Sequence, residues 1–354
     1  MIRFNMRGSW RVLLALSFTA RAVLAEELTF DPAITRIAFG SCNREYKPQP
    51  LWKPILDCKP DLWIWLGDIV YGDSEDLANL AQRYHAQKIQ ADYAALRARS
   101  KVVGVWDDHD FGVANGGKSN PAKNESQRLL LDFLDEPPDS PRRAQAGVYA
   151  AYAFGPPGRQ VKVILLDGRF HRGPSWRLLQ WFSGVAESDM LGEEQWKWLE
   201  QQLSGSTADV HLIGSGVQVI ASEHRYEKWA DFPHSRRRLF DLLARTGARN
   251  PIFLSGDRHF GEISRLVDPR IPQTLYDVTS SGLTHHAEDR WFRSFSRETN
   301  HFRCGNNFLG LNFGLVEINW EAVPQTATFQ IRDIANAVRV EEKLTLAAAN
   351  PGTP

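Results

Sequence analysis

An α/β fold, with two mixed β-sheets packed between helices, follows from three features of this 354-residue chain. Short, continuously apolar, β-rich runs alternate with amphipathic helical stretches, the pattern of strands buried on both faces. Later runs alternate apolar and polar residues, which adds antiparallel character. Four runs end abruptly in titratable residues, at the strand edge where α/β sheets collect ligands.

The elements follow in order. Thr35 to Phe39 is β-rich and breaks at Gly40. Leu62 to Leu66 is a strand held between Pro60 and Gly67. Residues 78–99 read as one helix, with Leu80, Tyr84, Ile89, Tyr93 and Leu96 near one face. Val102 to Trp106 is a strand, and Glu125 to Leu134 a helix stopped by Pro137-Pro138. Val148 to Phe154 and Val161 to Leu166 are strands around a Gly-Pro-Pro-Gly turn. Glu193 to Leu203 and Phe232 to Thr246 read as helices, and Val210 to Ile213, Gln218 to Ile220 and Ile252 to Ser255 as strands. Leu275 to Thr279 and Phe313 to Ile318 are late strands, the second pairing with Thr326 to Arg332. One domain over residues 26–345 is expected, followed by a disordered tail at 346–354.

Residues 1–25 read as a secretory signal peptide. Arg3, Arg7 and Arg11 form a basic start, Val12 to Ala20 is too short to span a bilayer, and Val23-Leu24-Ala25 suits cleavage after Ala25. The signal holds no Arg-Arg pair, so a Sec-like route to the periplasm or the exterior is expected. Without the four Arg of this segment, 38 of the 42 basic residues face 42 acidic ones, a net charge of −4. That excludes a nucleic-acid groove driven by net charge, and no later stretch is long and apolar enough for a membrane helix. The twelve Trp need a large core or an apolar cleft, and the segment from Trp176 to Trp198 suits either.

Four motifs carry the chemistry: FGSC (39–42), WLGDIVYGD (65–73), VWDDHD (105–110) and LSGDRH (254–259). Asp68 follows a glycine turn at a strand end, and its two oxygens suit it to bridge two metal ions. Tyr71, on the same turn, is either a phenolate ligand for a hard trivalent ion or an aromatic cover for the strand end. Cys42 is either a metal ligand or a small buried core residue. With three Cys in all, Cys58 and Cys304 then remain for a disulfide. In the third motif Asp108 reads as a ligand, His109 as the group that contacts phosphate and protonates the leaving oxygen, and Asp110 as the carboxylate that orients His109. Asp257 and His259 point to one face if their segment is extended, and each takes one metal. In Asp167-Gly168-Arg169, Arg169 offers a fork for a phosphate with Asp167 to fix it, or else a structural ion pair. His285 and His286 are weaker candidates.

Two metals held by Asp68 would lower the pKa of a bound water, and the hydroxide so supplied would be expected to attack phosphorus in line. Arg169 and His109 help to stabilise the transition state. No glycine-rich phosphate loop of the kinase or dehydrogenase kind is present, and Gly214-Ser215-Gly216 lacks the nucleophile elbow of serine hydrolases.

The motifs resemble the alkaline phosphatase D, or PhoD-like phosphatase, family of the calcineurin-like metallophosphoesterase superfamily. The resemblance spans roughly residues 35–330 and rests on FGSC, LGDIVYGD, WDDHD, LLDGRFHR, LGEEQWKWLEQQL, LSGDRHFGEIS, TSSGLTHH and NFGLVEI. Cys42 and Tyr71 stand where most superfamily members carry Asp residues, which points to this family. The resemblance implies a four-layer sandwich, and Fe3+ held by Cys42, Asp68, Tyr71 and His259. It implies a second ion, calcium or another divalent, held by Asp68, Asp108 and Asp257. It also implies hydrolysis of small phosphomonoesters or diesters at alkaline pH. Many members carry an N-terminal β-domain and a twin-arginine leader, and neither is expected here. The competing reading is a catalytically silent metal- or ligand-binding module of the same fold; the presence of both His109 and Asp110 favours the enzyme.

Overall fold

The computed structural model describes residues 28–30, 32–73, 76–175, 188–288 and 298–348. Its strands are β1 (Leu28–Phe30), β2 (Arg36–Gly40), β3 (Leu62–Leu66), β4 (Lys101–Val105), β5 (Ala150–Phe154), β6 (Val161–Leu165), β7 (Val210–Ser215), β8 (Pro251–Ser255), β9 (Gly261–Leu266), β10 (Leu275–Ser280), β11 (Phe313–Asn319), β12 (Thr326–Arg332) and β13 (Val338–Thr345). Its helices are α1 (Trp52–Asp57), α2 (Leu77–Lys88), α3 (Ala91–Arg97), α4 (Asp108–Phe111), α5 (Lys123–Phe133), α6 (Glu193–Leu203) and α7 (Pro233–Thr246).

Two mixed sheets result, as the apolar runs predict. One has the order β1-β5-β6-β7-β8-β10-β9, the other β13-β12-β11-β2-β3-β4. β2, β3 and β4 run parallel in one sheet, and β6, β7, β8 and β10 run parallel in the other. Strand residues alternate between two faces. Ile164, Ile213, Phe253 and Leu275 pack with Trp196, Trp198, Leu199, Leu239 and Leu243 of α6 and α7. The intervening Val163, Leu165, Leu212 and Leu254 join the larger core between the sheets. Leu66 reaches across that core, where a Cβ on Gly214 would stand 3.0 Å from its Cδ2. Truncating such a side chain to Ala costs about 2–5 kcal/mol. On the outer face of the second sheet Trp63 and Trp65 pack against Trp52 of α1, and Trp65 packs against Tyr93 of α3.

The stretch that predicts one helix over 78–99 forms two. Gln90 is extended at φ −59° and ψ 126°, and its side chain accepts from the Tyr93 amide to start α3. Residues 218–220 make no strand; the Val219 and Ile220 amides donate instead to the buried Asp277 carboxylate, at 2.7 and 2.9 Å. The Cys58–Cys304 disulfide is absent, and both thiols are free. Cys58 closes α1 and donates to Asn336, whereas Cys304 lies beside Ile263 of β9 in the other sheet. Trp196 and Trp198 fill core rather than a cleft, and Trp176 and Trp181 lie outside the described residues, as do the expected signal segment 1–25 and residues 349–354 of the expected tail.

Candidate metal centre

The parallel strands of both sheets deliver their C-terminal ends to one place. β2 leads into Cys42, β3 into Asp68 and Tyr71, and β4 into Asp107, Asp108 and His109. From the facing sheet β8 leads into Asp257 and His259, and β10 into Ser281 and His285. Three groups of donor atoms lie within 4.8 Å of one another: Cys42, Asp68 and His259; Asp68, Asp108 and His109; and Asp68, Asp107, Asp108 and Asp257. Asp68 belongs to all three, and its two oxygens allow it to face two ions at once.

Backbone strain accompanies this convergence. Cys42, Asp68, Asp73, Asp257 and His259 all adopt left-handed φ, between 44° and 66°. Such conformations cost about 1–3 kcal/mol each and persist where surrounding structure imposes them. Residues 257–259 are therefore not extended, yet both side chains still reach the cluster. The loops are tied across the two sheets. The Leu283 amide donates to the Ser41 carbonyl, and the Thr284 and His285 amides to the Cys42 carbonyl. Ser281 Oγ lies 3.1 Å from Cys42 Sγ and accepts the His259 amide at 2.8 Å.

Around Asp68, Oδ2 lies 3.3 Å from Cys42 Sγ and 3.4 Å from the Tyr71 hydroxyl. The Tyr71 ring stacks on His109 with centroids 4.1 Å apart, and its hydroxyl is 3.2 Å from His285 Nδ1. Burial raises the pKa of Asp68, Asp257, Cys42 and Tyr71, with their anionic neighbours adding to it. It pushes Asp107 to about 7 against the pull of Arg169. Asp108 is the exception: burial opposes its charge, but Arg169, His109 and the Asn115 amide outweigh that and hold it low. Asp107 Oδ2 and Asp108 Oδ1 are buried without hydrogen-bond partners. Orphaned oxygens inside a crowd of carboxylates are costly unless cations neutralise them. The donor set fits a pair of cations, one facing sulfur, imidazole and phenol, the other facing oxygen alone.

Two residues make contacts other than the phosphate or imidazole contacts expected of them. Asp110 does not touch the His109 ring. It completes a capping box on α4, accepting the Asp107 amide at 2.7 Å, and it accepts the Ile69 amide at 3.1 Å. The carboxylate that meets His109 Nδ1 is Asp73. Burial opposes charge on this imidazole, but Asp68, Asp73 and Asp108 outweigh it and raise its pKa to about 10. Nor does Arg169 present an open fork. It is fully buried, 2.6 Å from Asp107 and 2.7 Å from Glu227. Asp167 fixes the loop rather than the guanidinium, accepting the amides of Arg169 and Phe170 and the Trp106 indole. Arg172 also pairs with Glu227 and holds the Asn115 carbonyl, while the Asn115 amide donates to Asp108 at 2.7 Å.

Sequence reasoning passes over Asp73, Asp107, Ser281 and Glu227. Asp73 and Asp107 stand inside motifs already singled out, so their position was the available signal. Glu227 stands on a loop with no motif around it.

Residues 37–298 match the family described as PhoD-like phosphatase. Alkaline phosphatase D of Bacillus subtilis (strain 168) is 22% identical over 279 residues, which cover 65% of this chain and 46% of that protein. The chain thus spans less than half the length of that relative. The solved structure of PhoD superposes with a TM-score of 0.64 at 16% identity, over 93% of this chain and 74% of that one. GAP50, described as the anchor in the inner membrane complex of Plasmodium, gives 0.56 at 13% identity, over 89% and 90%. A dimetal phosphatase from Danio rerio gives 0.50 at 15% identity, over 89% and 100%. These likenesses show the two-sheet fold, and no helix among the described residues is long and apolar enough to cross a membrane. Because the family match runs through all four ligand motifs and most of the sequence, the chain belongs to the PhoD-like phosphatase family.

Proposed function

We propose that this protein is a metal-dependent phosphoester hydrolase, an alkaline phosphatase or phosphodiesterase acting on small phosphoesters. The observation that carries this reading is the participation of Asp68 in three overlapping ligand groups at the joint edge of both sheets. Cys42, Asp68, Tyr71 and His259 would hold Fe3+, since thiolate and phenolate are anionic donors for a trivalent ion. Asp68, Asp107, Asp108 and Asp257 would hold calcium, an ion of oxygen ligands. When bound, such a pair activates water and neutralises phosphoryl oxygens.

The chain's own residues supply the rest. Asp73 holds His109 by Nδ1, leaving Nε2 on the side of Asp108, 3.9 Å away. From there His109 protonates the leaving oxygen. Asp110 sets the backbone of the Asp68 and Asp107 turns. Arg169 holds Asp107 and adds positive charge where the transition state gathers negative charge. The basic, apolar start of the chain supports export, which N-terminal sequencing of the mature protein tests.

The test is hydrolysis of 4-nitrophenyl phosphate and bis(4-nitrophenyl) phosphate by the full-length protein, before and after chelation. Activity lost on chelation, restored by metal, and missing from Asp68→Asn is expected. Turnover that survives complete removal of metal overturns the reading.

A further inference from the structure

The cationic side chains around the cluster are unequally neutralised. Arg169 is shared by Asp107 and Glu227, Arg172 meets Glu227, and Arg83 pairs with Glu45. Arg44 differs. Its guanidinium lies 4.9 Å from the centroid of the Tyr71 ring, and its Nε is buried without a hydrogen-bond partner. No carboxylate among the described residues forms an ion pair with it. The adjacent Glu45 is engaged by Arg83 and by the Tyr71 amide at 3.5 Å.

Arg44 is also held in place. Its amide donates to Thr284 Oγ1 at 2.6 Å, and the Thr284 and His285 amides both donate to the Cys42 carbonyl. Loops from the two sheets thereby clamp the residue beside the cluster. The ring it covers carries the hydroxyl that stands 3.4 Å from Asp68 Oδ2, so Arg44 is one aromatic ring away from the bridging carboxylate. A guanidinium seated over an aromatic ring, with donors to spare, is suited to an oxyanion.

We propose that Arg44 is an anion subsite beside the metal cluster, selecting phosphoesters whose esterifying alcohol carries a second anionic group. The inference rests on the hydrolase reading above. Carboxylate and phosphate share the chemistry that Arg44 recognises, and a carboxylate probe avoids a second phosphoryl group competing for the metals.

The test compares two diesters on the metal-loaded, full-length protein: 4-nitrophenyl 2-carboxyethyl phosphate and its neutral isostere, 4-nitrophenyl 2-carbamoylethyl phosphate. The wild type should favour the carboxylate in kcat/KM by about tenfold or more, the size of a charge-assisted hydrogen bond. Arg44→Gln should bring that ratio near one by raising KM for the carboxylate, and Arg44→Lys should retain part of it. A wild type without preference overturns the inference. So does an Arg44→Gln protein with an unchanged ratio, or one that loses both esters equally, the mark of support for Tyr71 alone. If the wild type hydrolyses neither ester, nor bis(4-nitrophenyl) phosphate, nor 4-nitrophenyl phosphate, the hydrolase reading fails and this inference falls with it; if it hydrolyses 4-nitrophenyl phosphate alone, the hydrolase reading stands and only this inference falls. If it hydrolyses both esters without preference, only this inference falls.

Discussion

Asp73 Oδ1 meets His109 Nδ1 across the turn that leaves β3, so the imidazole is anchored from the Asp68 loop rather than from its own helix. Replacing Asp73 by Asn should lower kcat by about 10–100-fold with little change in KM, a fraction of the 10²–10⁴ that a general acid contributes. Because Asp73 helps to raise the His109 pKa, its loss should move the alkaline limb of the pH profile to lower pH. A variant with full kcat and an unmoved limb would remove this pair from the mechanism. His109→Ala should keep its metals and lose most turnover.

Gly67 offers a purely geometric prediction. It has φ 85°, and a Cβ there would stand 2.3 Å from Asp107 Cβ and 2.4 Å from the Asp107 amide nitrogen. Gly67→Ala must displace either the Asp68 turn or the Asp107 turn, costing about 1–3 kcal/mol or more. Metal content should fall together with the melting temperature. Full metal occupancy in that variant would show that the two turns move independently.

Much of this arrangement is legible in the sequence because strand ends announce themselves. LWIWL-Gly-Asp and VVGVW-Asp-Asp show where apolar runs stop and carboxylates begin, and the structure brings Asp68, Asp107 and Asp108 together. The strands β1, β9 and β13 are less legible. β1 has three residues, β9 follows directly on a ligand motif, and the edge strand β13 exposes Val338, Arg339, Glu341 and Lys343. The partner of a side chain is harder still, since it depends on backbone angles that residue types do not state. Asp110 is one residue from His109 but points at amides, whereas Asp73 reaches the ring from 36 positions away. Glu227 meets Arg169 and Arg172 only because two loops approach in space.

The buried carboxylates predict how the metal-free protein responds to pH. Burial raises Asp107 to about 7 and Asp110 to about 8, far above their ordinary range. Between about pH 4 and pH 8 the folded chain therefore holds protons that the unfolded chain has released. The stability they contribute is present at low pH and is lost as pH rises through those values. Thermal melts of the chelated protein should fall from pH 5 to pH 8, and added metal should reverse the loss at pH 8. A chelated protein that is more stable at pH 8 than at pH 5 would contradict this account.

Glu227 is the shared counter-charge of two buried arginines. Glu227→Gln leaves Arg169 to Asp107 alone and strips Arg172 of its carboxylate. Breaking a buried pair from one side costs about 3–5 kcal/mol. Urea denaturation should register a loss of that order. A change below about 1 kcal/mol would mean that water replaces the carboxylate at an exposed pair.

The most direct measurement is elemental analysis of the purified protein, together with its visible spectrum. Near-stoichiometric iron and calcium are expected, with a charge-transfer band that Tyr71→Phe or Cys42→Ser alters and with both ions lost in Asp68→Asn. Zinc or manganese without such a band would reject the assigned ions while keeping a metal centre. A protein that retains no metal under gentle purification, and takes none up on addition, would contradict the central claim.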